Sequence, residues 1–352
     1  MTTIKEIAQT CGVSVTTVSN VLAGKNKVSP ETRQKILDEV KRTGYQPNFM
    51  AQGLRGSRTR TVGIIAEDIC QFTTPGLLDG IMMQLEEEGY RATIKNLRLY
   101  SRWSDRWYDL EEKYRSVFDP AVQELLASRV DGIIHVAGHA RVIPVYPRDL
   151  EKPVVMAYAY SESAQIPSIV PDDEQGGYSM TKYLLSKGHK RIGVLAGRED
   201  NIHSKLRIDG YRKALEETGL SFDPDLLVYA NWNKQSGYAQ TRQLLKQSPN
   251  LSAIFCLSDE MAGGALEYLR DRQIDVPGQI SLAGFDNRNL TEYTQPALTS
   301  MQLPLIPIGK RSAQILLDKI LLDASSAEQS EQVLVERIPC TIVERDSVTS
   351  CK

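Results

Sequence analysis

The chain has 352 residues, 41% hydrophobic and 24% charged, with a net charge of −2; at roughly 150 residues per domain this implies two or three domains with ample apolar material for a core. No apolar run approaches the ~18 residues of a membrane span, and Met1–Thr10 lacks the basic-then-apolar layout of a secretory signal, so a cytoplasmic protein is expected. The five cysteines (Cys11, Cys70, Cys256, Cys340, Cys351) are scattered without a Cys-x-x-Cys pair, which fits free thiols in a reducing compartment and speaks against a clustered zinc site. The small net charge hides a split. Residues 1–60 carry ten Lys/Arg against four acids, a surplus of +6, and the remainder carries 32 against 40, or −8. A basic head on an acidic body suits a phosphate-binding module fused to a domain with another task; the competing account is a chance cluster of surface charge.

In the head, Ile4, Ile7, Ala8 and Cys11 fall at i, i+3, i+4 and i+7, the apolar stripe of a short helix. Gly12 allows a tight turn and Ser14 is a good N-cap for a second helix. There Val18, Val21 and Leu22 repeat the spacing, leaving Val15, Thr16, Ser19 and Asn20 facing outward. Two short helices joined by a tight glycine-containing turn are a helix-turn-helix. A third helix is expected from Ser29-Pro30-Glu31 to Gly44, with Ile36, Leu37 and Val40 as its apolar face. Beyond Tyr45, Asn48 could cap one more short helix. Gly53 costs that helix about 1 kcal/mol relative to alanine, so it should order only against a partner; an ordinary flexible linker is the alternative.

The run Thr3-Ile4-Lys5-Glu6-Ile7-Ala8, Gly12-Val13-Ser14, Thr17-Val18-Ser19, Val28-Ser29-Pro30-Glu31-Thr32-Arg33 and Gly44-Tyr45-Gln46-Pro47-Asn48 resembles the opening of a lactose-repressor (LacI/GalR) family regulator. The resemblance implies that the second helix enters the major groove of double-stranded DNA, with Val15, Thr16 and Asn20 at base edges and Ser14, Thr17 and Ser19 near phosphates. Asn20 stands where relatives more often carry arginine; asparagine suits adenine N6/N7 whereas arginine suits guanine. The family's hinge helix matches residues 48–54, which implies that Asn48, Ala51 and Leu54 meet the minor groove, where leucine wedges kink DNA. Gln52 replaces the commoner arginine there.

From Arg60 onward apolar strands alternate with helices. Strands are expected at Thr61–Ile65, Gly132–Ile134, Val154–Met156, Ile192–Leu195, Ala253–Phe255 and Ile280–Gly284. Helices are expected at Leu77–Gly89, Gly176–Lys187, Lys205–Thr218, Gln235–Lys246, Asp259–Arg272 and Ile308–Leu322. Such alternation argues for parallel sheets covered on both faces, with a ligand cleft at the carboxyl ends of the strands. The expected fold is therefore an all-α helix-turn-helix head (1–46), a hinge and linker (47–60), and an α/β body (61–352) of two doubly wound parallel-sheet subdomains.

The resemblance continues through Gly188-His189-Lys190-Arg191-Ile192, Arg207-Ile208-Asp209-Gly210-Tyr211, Ser258-Asp259-Glu260-Met261-Ala262, Gly284-Phe285-Asp286, Pro296-Ala297-Leu298-Thr299 and Arg345-Asp346-Ser347. It implies a periplasmic-binding-protein-like effector body in which Arg207 and Asp286 make the central polar contacts and Trp232 stacks on the ligand. Thr73, Thr74, Asp172, Asp173, His203, Ser258 and Asp259 fill other lining positions. Each has a structural alternative: Arg207 as a partner of a helix acid, Asp259 as a helix cap, Trp232 as plain core. Thr73 and Thr74 stand where purine-binding relatives carry aromatics, which points to a saccharide. The resemblance also implies a homodimer on a near-palindromic operator. Asp323–Lys352 lacks a sustained apolar heptad, so a zipper-like tetramer is not expected. Leu97–Asp119, rich in aromatics and arginine, reads as an extra packed helix or as a lid or partner surface.

No nucleophile elbow, phosphate-binding loop or dinucleotide fingerprint is present, so no catalysis and no cofactor are expected. His135 and His139 have a metal-like spacing but fall at a strand end and loop. The expected function is a sugar-controlled repressor. The alternatives are the same architecture gated by a partner protein, or a binding protein without DNA function.

Overall fold

The structure, a computed structural model, describes residues 2–22, 28–45, 58–104, 111–143, 146, 150–322 and 335–351. The expected hinge residues Asn48, Ala51 and Leu54 lie outside the described residues. Contacts divide the chain into two units, Met1–Arg60 and Thr61–Lys352.

The first unit is three helices whose ends are written in side-chain chemistry. Thr3 caps Ile4–Cys11 in a reciprocal box with Glu6, and Gly12 ends it at φ 67°. The Ser14 hydroxyl accepts the Thr17 N–H at 3.0 Å and starts Val15–Leu22. Ser29 caps Pro30–Thr43, and Gly44 ends it at φ 62°. Ile7, Ala8, Cys11, Val18, Val21 and Ile36 form the core. Two expectations change. Val15 is half-buried, packed against that core rather than facing fully outward. Leu37 is 38% exposed, one position off the stripe that Ile36 and Val40 supply.

The body holds two six-stranded sheets. The first contains β1 (Thr61–Ala66), β2 (Arg91–Asn96), β3 (Gly132–Val136), β5 (Val154–Ala157), β7 (Ser168–Asp172) and β13 (Val335–Pro339), in the order β13-β7-β5-β3-β1-β2, all parallel. A short parallel pair, β4 (Val142–Ile143) with β6 (Tyr160–Ser161), lies beyond it. The second sheet contains β8 (Ile192–Ala196), β9 (Leu227–Tyr229), β10 (Ala253–Cys256), β11 (Ser281–Asp286), β12 (Thr299–Gln302) and β14 (Thr341–Val343), in the order β14-β12-β11-β10-β8-β9. Only β14 departs from parallel pairing, running antiparallel to β12. The central strands are buried on both faces, as continuous Val/Ile/Leu runs demand.

The chain passes between the sheets three times. After β7 it enters helix Asp173–Ser186, which packs on Ile202–Glu216; after β12 it enters helix Leu305–Leu321, which packs on Thr73–Glu87 and the first sheet; and β13 leads directly to β14. The helices of the first pair touch backbone to backbone. A Cβ on Gly177 would lie 2.2 Å from the Arg207 carbonyl oxygen, and one on Gly210 would lie 2.0 Å from that of Glu174. The same reciprocal notch joins the Thr73–Glu87 and Leu305–Leu321 helices, and Lys234–Gln247 with Asp259–Asp271. Gly210→Ala is therefore expected to cost about 1–3 kcal/mol or more. Gly263→Ala, in open space on a helix, is expected to be neutral or stabilising by up to about 1 kcal/mol. Urea denaturation of both variants checks the contrast, and equal effects would refute the notch.

Candidate effector cleft and DNA-binding head

The carboxyl ends of β1, β3 and β7 and of β8, β9, β10 and β11 carry the residues singled out in the body, the place where open α/β sheets hold ligands. The Gly177/Gly210 crossing sets Asp173, first residue of its helix, beside Arg207 two turns into the neighbouring one. Arg207 is only 2% exposed. Its Nε–H donates to Asp173 Oδ1 at 2.7 Å, its Nη1–H to the Leu257 carbonyl at 2.6 Å, and Asp286 Oδ1 lies 3.7 Å from Nη1. One face of the guanidinium rests 3.6 Å from the Phe285 ring centre, with Trp232 at 5.9 Å, a stacking that suits the delocalised cation.

His203 spans the two halves. The Ala140 N–H, in the loop after β3, donates to His203 Nε2 at 3.0 Å. The ring proton therefore sits on Nδ1, which donates to Asp173 Oδ2 at 2.7 Å. Burial would raise the Asp173 carboxyl, but His203 and Arg207 overcome it and hold it below the ordinary value. A second contact across the cleft sets the Arg288 guanidinium over the Phe72 ring at 4.7 Å.

The other expected lining residues are brought to the same strand ends, several with their polar atoms engaged. The Thr73 hydroxyl donates to the Gly138 carbonyl and that of Thr74 to the Asp68 carbonyl, fastening loops. Asp172 caps the helix that begins at Asp173. Ser258, not Asp259, caps helix Asp259–Asp271, because the preceding residue has the extended backbone a cap needs. Asp259 instead accepts the Ser300 hydroxyl at 2.6 Å and the Arg288 N–H at 2.7 Å. Trp232 is half-buried at φ 60° with its indole laid over Gly197. Asp286 and Asn287 also hold left-handed backbone, at φ 110° and 51°, conformations that concentrate where function over-determines the chain.

The sequence reading passed over Phe285, Tyr158 and a buried cluster at the end of β1. Phe285 had a signal, its place beside Asp286. Tyr158, at φ 70° with its ring 5.3 Å from that of His203, had none. In the cluster, Glu67 pairs with Arg141 Nη2 at 2.5 Å and His135 Nε2 at 3.3 Å and accepts the Gly138 N–H at 3.0 Å. Burial opposes its ionisation, yet Arg141 and His135 hold the carboxyl down to about 2. His135 also meets the Tyr146 hydroxyl, and His139 the Tyr100 hydroxyl.

Asp259 and Asp286 behave oppositely to Glu67. Burial pushes Asp259 up to about 7 against its two hydrogen bonds. It lifts Asp286 well above the usual carboxylate range, against Arg207 and with Asp259 adding to it. The folded chain thus keeps a proton on Asp259 that the unfolded chain releases near pH 4, so this group's stabilising share is lost as pH rises towards 7. Glu67 has the reverse sign, its share being lost as pH falls from about 4.5 to about 2. In Asp259→Asn, whose amide can still accept from Arg288 and donate to Ser300, the decline in unfolding free energy between pH 4.5 and 7.5 is expected to flatten. Unchanged slopes in urea titrations would refute this.

Two sequence profiles match the chain: residues 3–48 match that of the bacterial regulatory proteins of the lacI family, and residues 181–348 that of the periplasmic binding protein-like domain. Catabolite control protein A of Priestia megaterium is 32% identical over 338 residues, covering 94% of this chain and 97% of that one. The chain belongs to the LacI family. The HTH-type transcriptional repressor PurR of Vibrio atlanticus is 30% identical over 350 residues, 99% of each chain. Among solved structures, the transcriptional regulator CelR in complex with cellobiose is similar at a TM-score of 0.65 and 25% identity, with 99% of this chain and 100% of that one covered. This LacI-family chain is thus a DNA-binding transcriptional regulator of the repressor type, with a helix-turn-helix head and an effector-binding body.

In the head, Thr16 is exposed, and Thr17, Ser19 and Asn20 are half-buried along Val15–Leu22. The Ser14 and Thr17 hydroxyls share a 2.8 Å hydrogen bond at the start of that helix, which leaves Thr16 as the most open side chain among the expected base readers. No helix among the described residues is long and apolar enough to cross a membrane.

Proposed function

We propose that this LacI-family regulator is a cytoplasmic homodimeric repressor, without catalytic activity, whose grip on a near-palindromic operator is controlled by a saccharide in the body cleft. The observation that carries the reading is the set of Arg207, Asp173 and Asp286 against Phe285 and Trp232 at facing strand ends. A guanidinium donates, carboxylates accept and a hydroxyl does both, while the half-buried Trp232 indole suits the apolar face of a sugar. In this reading residues 1–46 are the DNA-binding head, 47–60 the hinge and 61–352 the effector and dimerisation body. Ser14, Val15, Thr16, Thr17, Ser19 and Asn20 meet the major groove, and Asn48, Ala51 and Leu54 the minor groove. Thr73, Thr74, Asp172, Asp173, His203, Arg207, Trp232, Ser258, Asp259 and Asp286 surround the effector. The cellobiose carried by the similar regulator CelR supports a saccharide.

A thermal-shift panel of mono- and disaccharides, sugar acids, sugar phosphates and purines tests it. A ligand at 100 times its dissociation constant adds about 2.7 kcal/mol to the native state, and the shift is expected to vanish in Trp232→Ala and Asp286→Ala. The same ligand is expected to change affinity for an operator selected from random DNA. A panel with no saccharide hit, or a hit indifferent to both variants, overturns the reading.

A further inference from the structure

The charge inventory of the cleft says which saccharides it admits. Asp173, Asp259 and Asp286 gather at its centre, where Arg207 lies between Asp173 and Asp286, its Nε and Nη1 committed to Asp173 and the Leu257 carbonyl. Nearby guanidinium groups are engaged as well. Arg288 pairs with Glu260 at 2.5 Å and Arg141 with Glu67 at 2.5 Å, and Arg345 bonds Asn287 Oδ1 and the Leu298 carbonyl, with Glu292 at 3.4 Å.

We propose that the cleft selects a neutral polyhydroxylated ligand and excludes phosphorylated and carboxylated saccharides, because the carboxyl groups of Asp173, Asp259 and Asp286 outnumber the Arg207 guanidinium, which is already paired with the first. The proposal rests on the saccharide reading above and adds the charge class of the ligand. Fully ionised, the four central groups carry a net charge of −2; with protons held on Asp259 and Asp286 they are neutral. In neither state is there a surplus cation to meet an incoming anion. Burial favours the second state, in which the Asp286 carboxyl offers a donor and an acceptor to sugar hydroxyls. An anion reaching Arg207 would have to compete with Asp173 for its charge, and Asp173 is held from its other oxygen by His203, itself hydrogen-bonded to Ala140 across the cleft. Leaving a buried carboxylate unpaired in this way is costly.

The open groove beside the cleft, about 640 Å³ and lined by Arg198, Glu199, Asp200, Lys205, Tyr229 and Ala230, offers no remedy. Its cations are matched by acids, and Arg198 makes a two-point pair with Asp200 at 3.1 and 2.7 Å.

The test is calorimetric titration of the full-length protein at pH 7.5 with matched ligands: glucose, galactose, ribose and cellobiose against glucose-6-phosphate, glucuronate, galacturonate and ribose-5-phosphate. At least one neutral sugar is expected to bind, with its anionic counterpart weaker by at least roughly tenfold. Asp259→Asn is expected to narrow the gap by removing the carboxyl group that ionises as pH passes about 7. An anionic sugar that binds within roughly tenfold of its neutral counterpart, and competes with it, overturns the charge selection while the saccharide reading stands. Binding of no saccharide of either class overturns both.

Discussion

Replacing Arg207 with methionine is expected to destabilise the body by about 3–5 kcal/mol, the range seen when one partner of a buried ion pair is removed. The loss does not come mainly from the attraction itself. Asp173 is 1% exposed and is held ionised by Arg207 and His203, so without the guanidinium its charge is left with the His203 hydrogen bond alone. The Leu257 carbonyl loses its donor in the same stroke, and the face of Phe285 loses its cation. Adding Asp173→Asn to Arg207→Met should recover part of the loss, a coupling that a double-mutant cycle in urea reads directly. Arg207→Lys is expected to fall between, because an ammonium cannot serve Asp173 and Leu257 as a fork. A cost below about 1 kcal/mol for Arg207→Met, the scale of an exposed pair, would show that the site does not hold the body together.

The second large effect is expected in the head. Its core consists of Ile7, Ala8, Cys11, Val18, Val21 and Ile36, and Ile36 is fully buried at its centre. Truncating such a side chain to alanine removes about 2–5 kcal/mol, whereas a unit of this size rarely commands more than about 3–5 kcal/mol in all. Ile36→Ala should therefore unfold the head and abolish specific operator binding, while the melting transition of the body and its response to ligand stay as they were. Calorimetry with a parallel DNA-binding assay checks both halves of the statement. Operator binding retained at full affinity would mean that the head draws its stability from elsewhere.

What the sequence revealed depended on how local the physics was. The helix ends of the head were readable because a cap is a contract among three or four neighbouring residues: Thr3 with Glu6, Ser14 with Thr17, Ser29 with Thr32. Val15 and Leu37 were misplaced because a stripe gives a face but not which neighbouring helix covers it. Central strands such as β3 and β8 stood out as apolar runs, whereas the four sheet edges, β2, β9, β13 and β14, did not, and neither did the internal β7 and β12, whose polar residues interrupt any apolar run. An edge strand exposes part of its surface and can carry Arg91, Lys95, Glu336 and Arg337 without penalty. Helix Thr73–Glu87 begins four residues before the expected Leu77, with Pro75 in its first turn, where proline is tolerated. In the cleft, Arg207, Asp173 and Asp286 were legible from the resemblance. The Glu67 cluster was not, because Glu67, His135 and Arg141 meet only once β1 and β3 are side by side.

The reciprocal glycine notches limit how the body can respond to anything it binds. In each of the three helix pairs a backbone carbonyl sits where a methyl group would not fit, so one helix cannot slip along its neighbour by a residue without driving a side chain into a peptide. Sliding is removed from the repertoire, and what remains soft is the three places where the chain passes from one sheet to the other. A rearrangement funnelled through three such passes has few independent coordinates. On the effector reading proposed above, work done by a ligand on Arg207 and Asp173 would emerge as a turn about few axes instead of being dissipated among many small displacements.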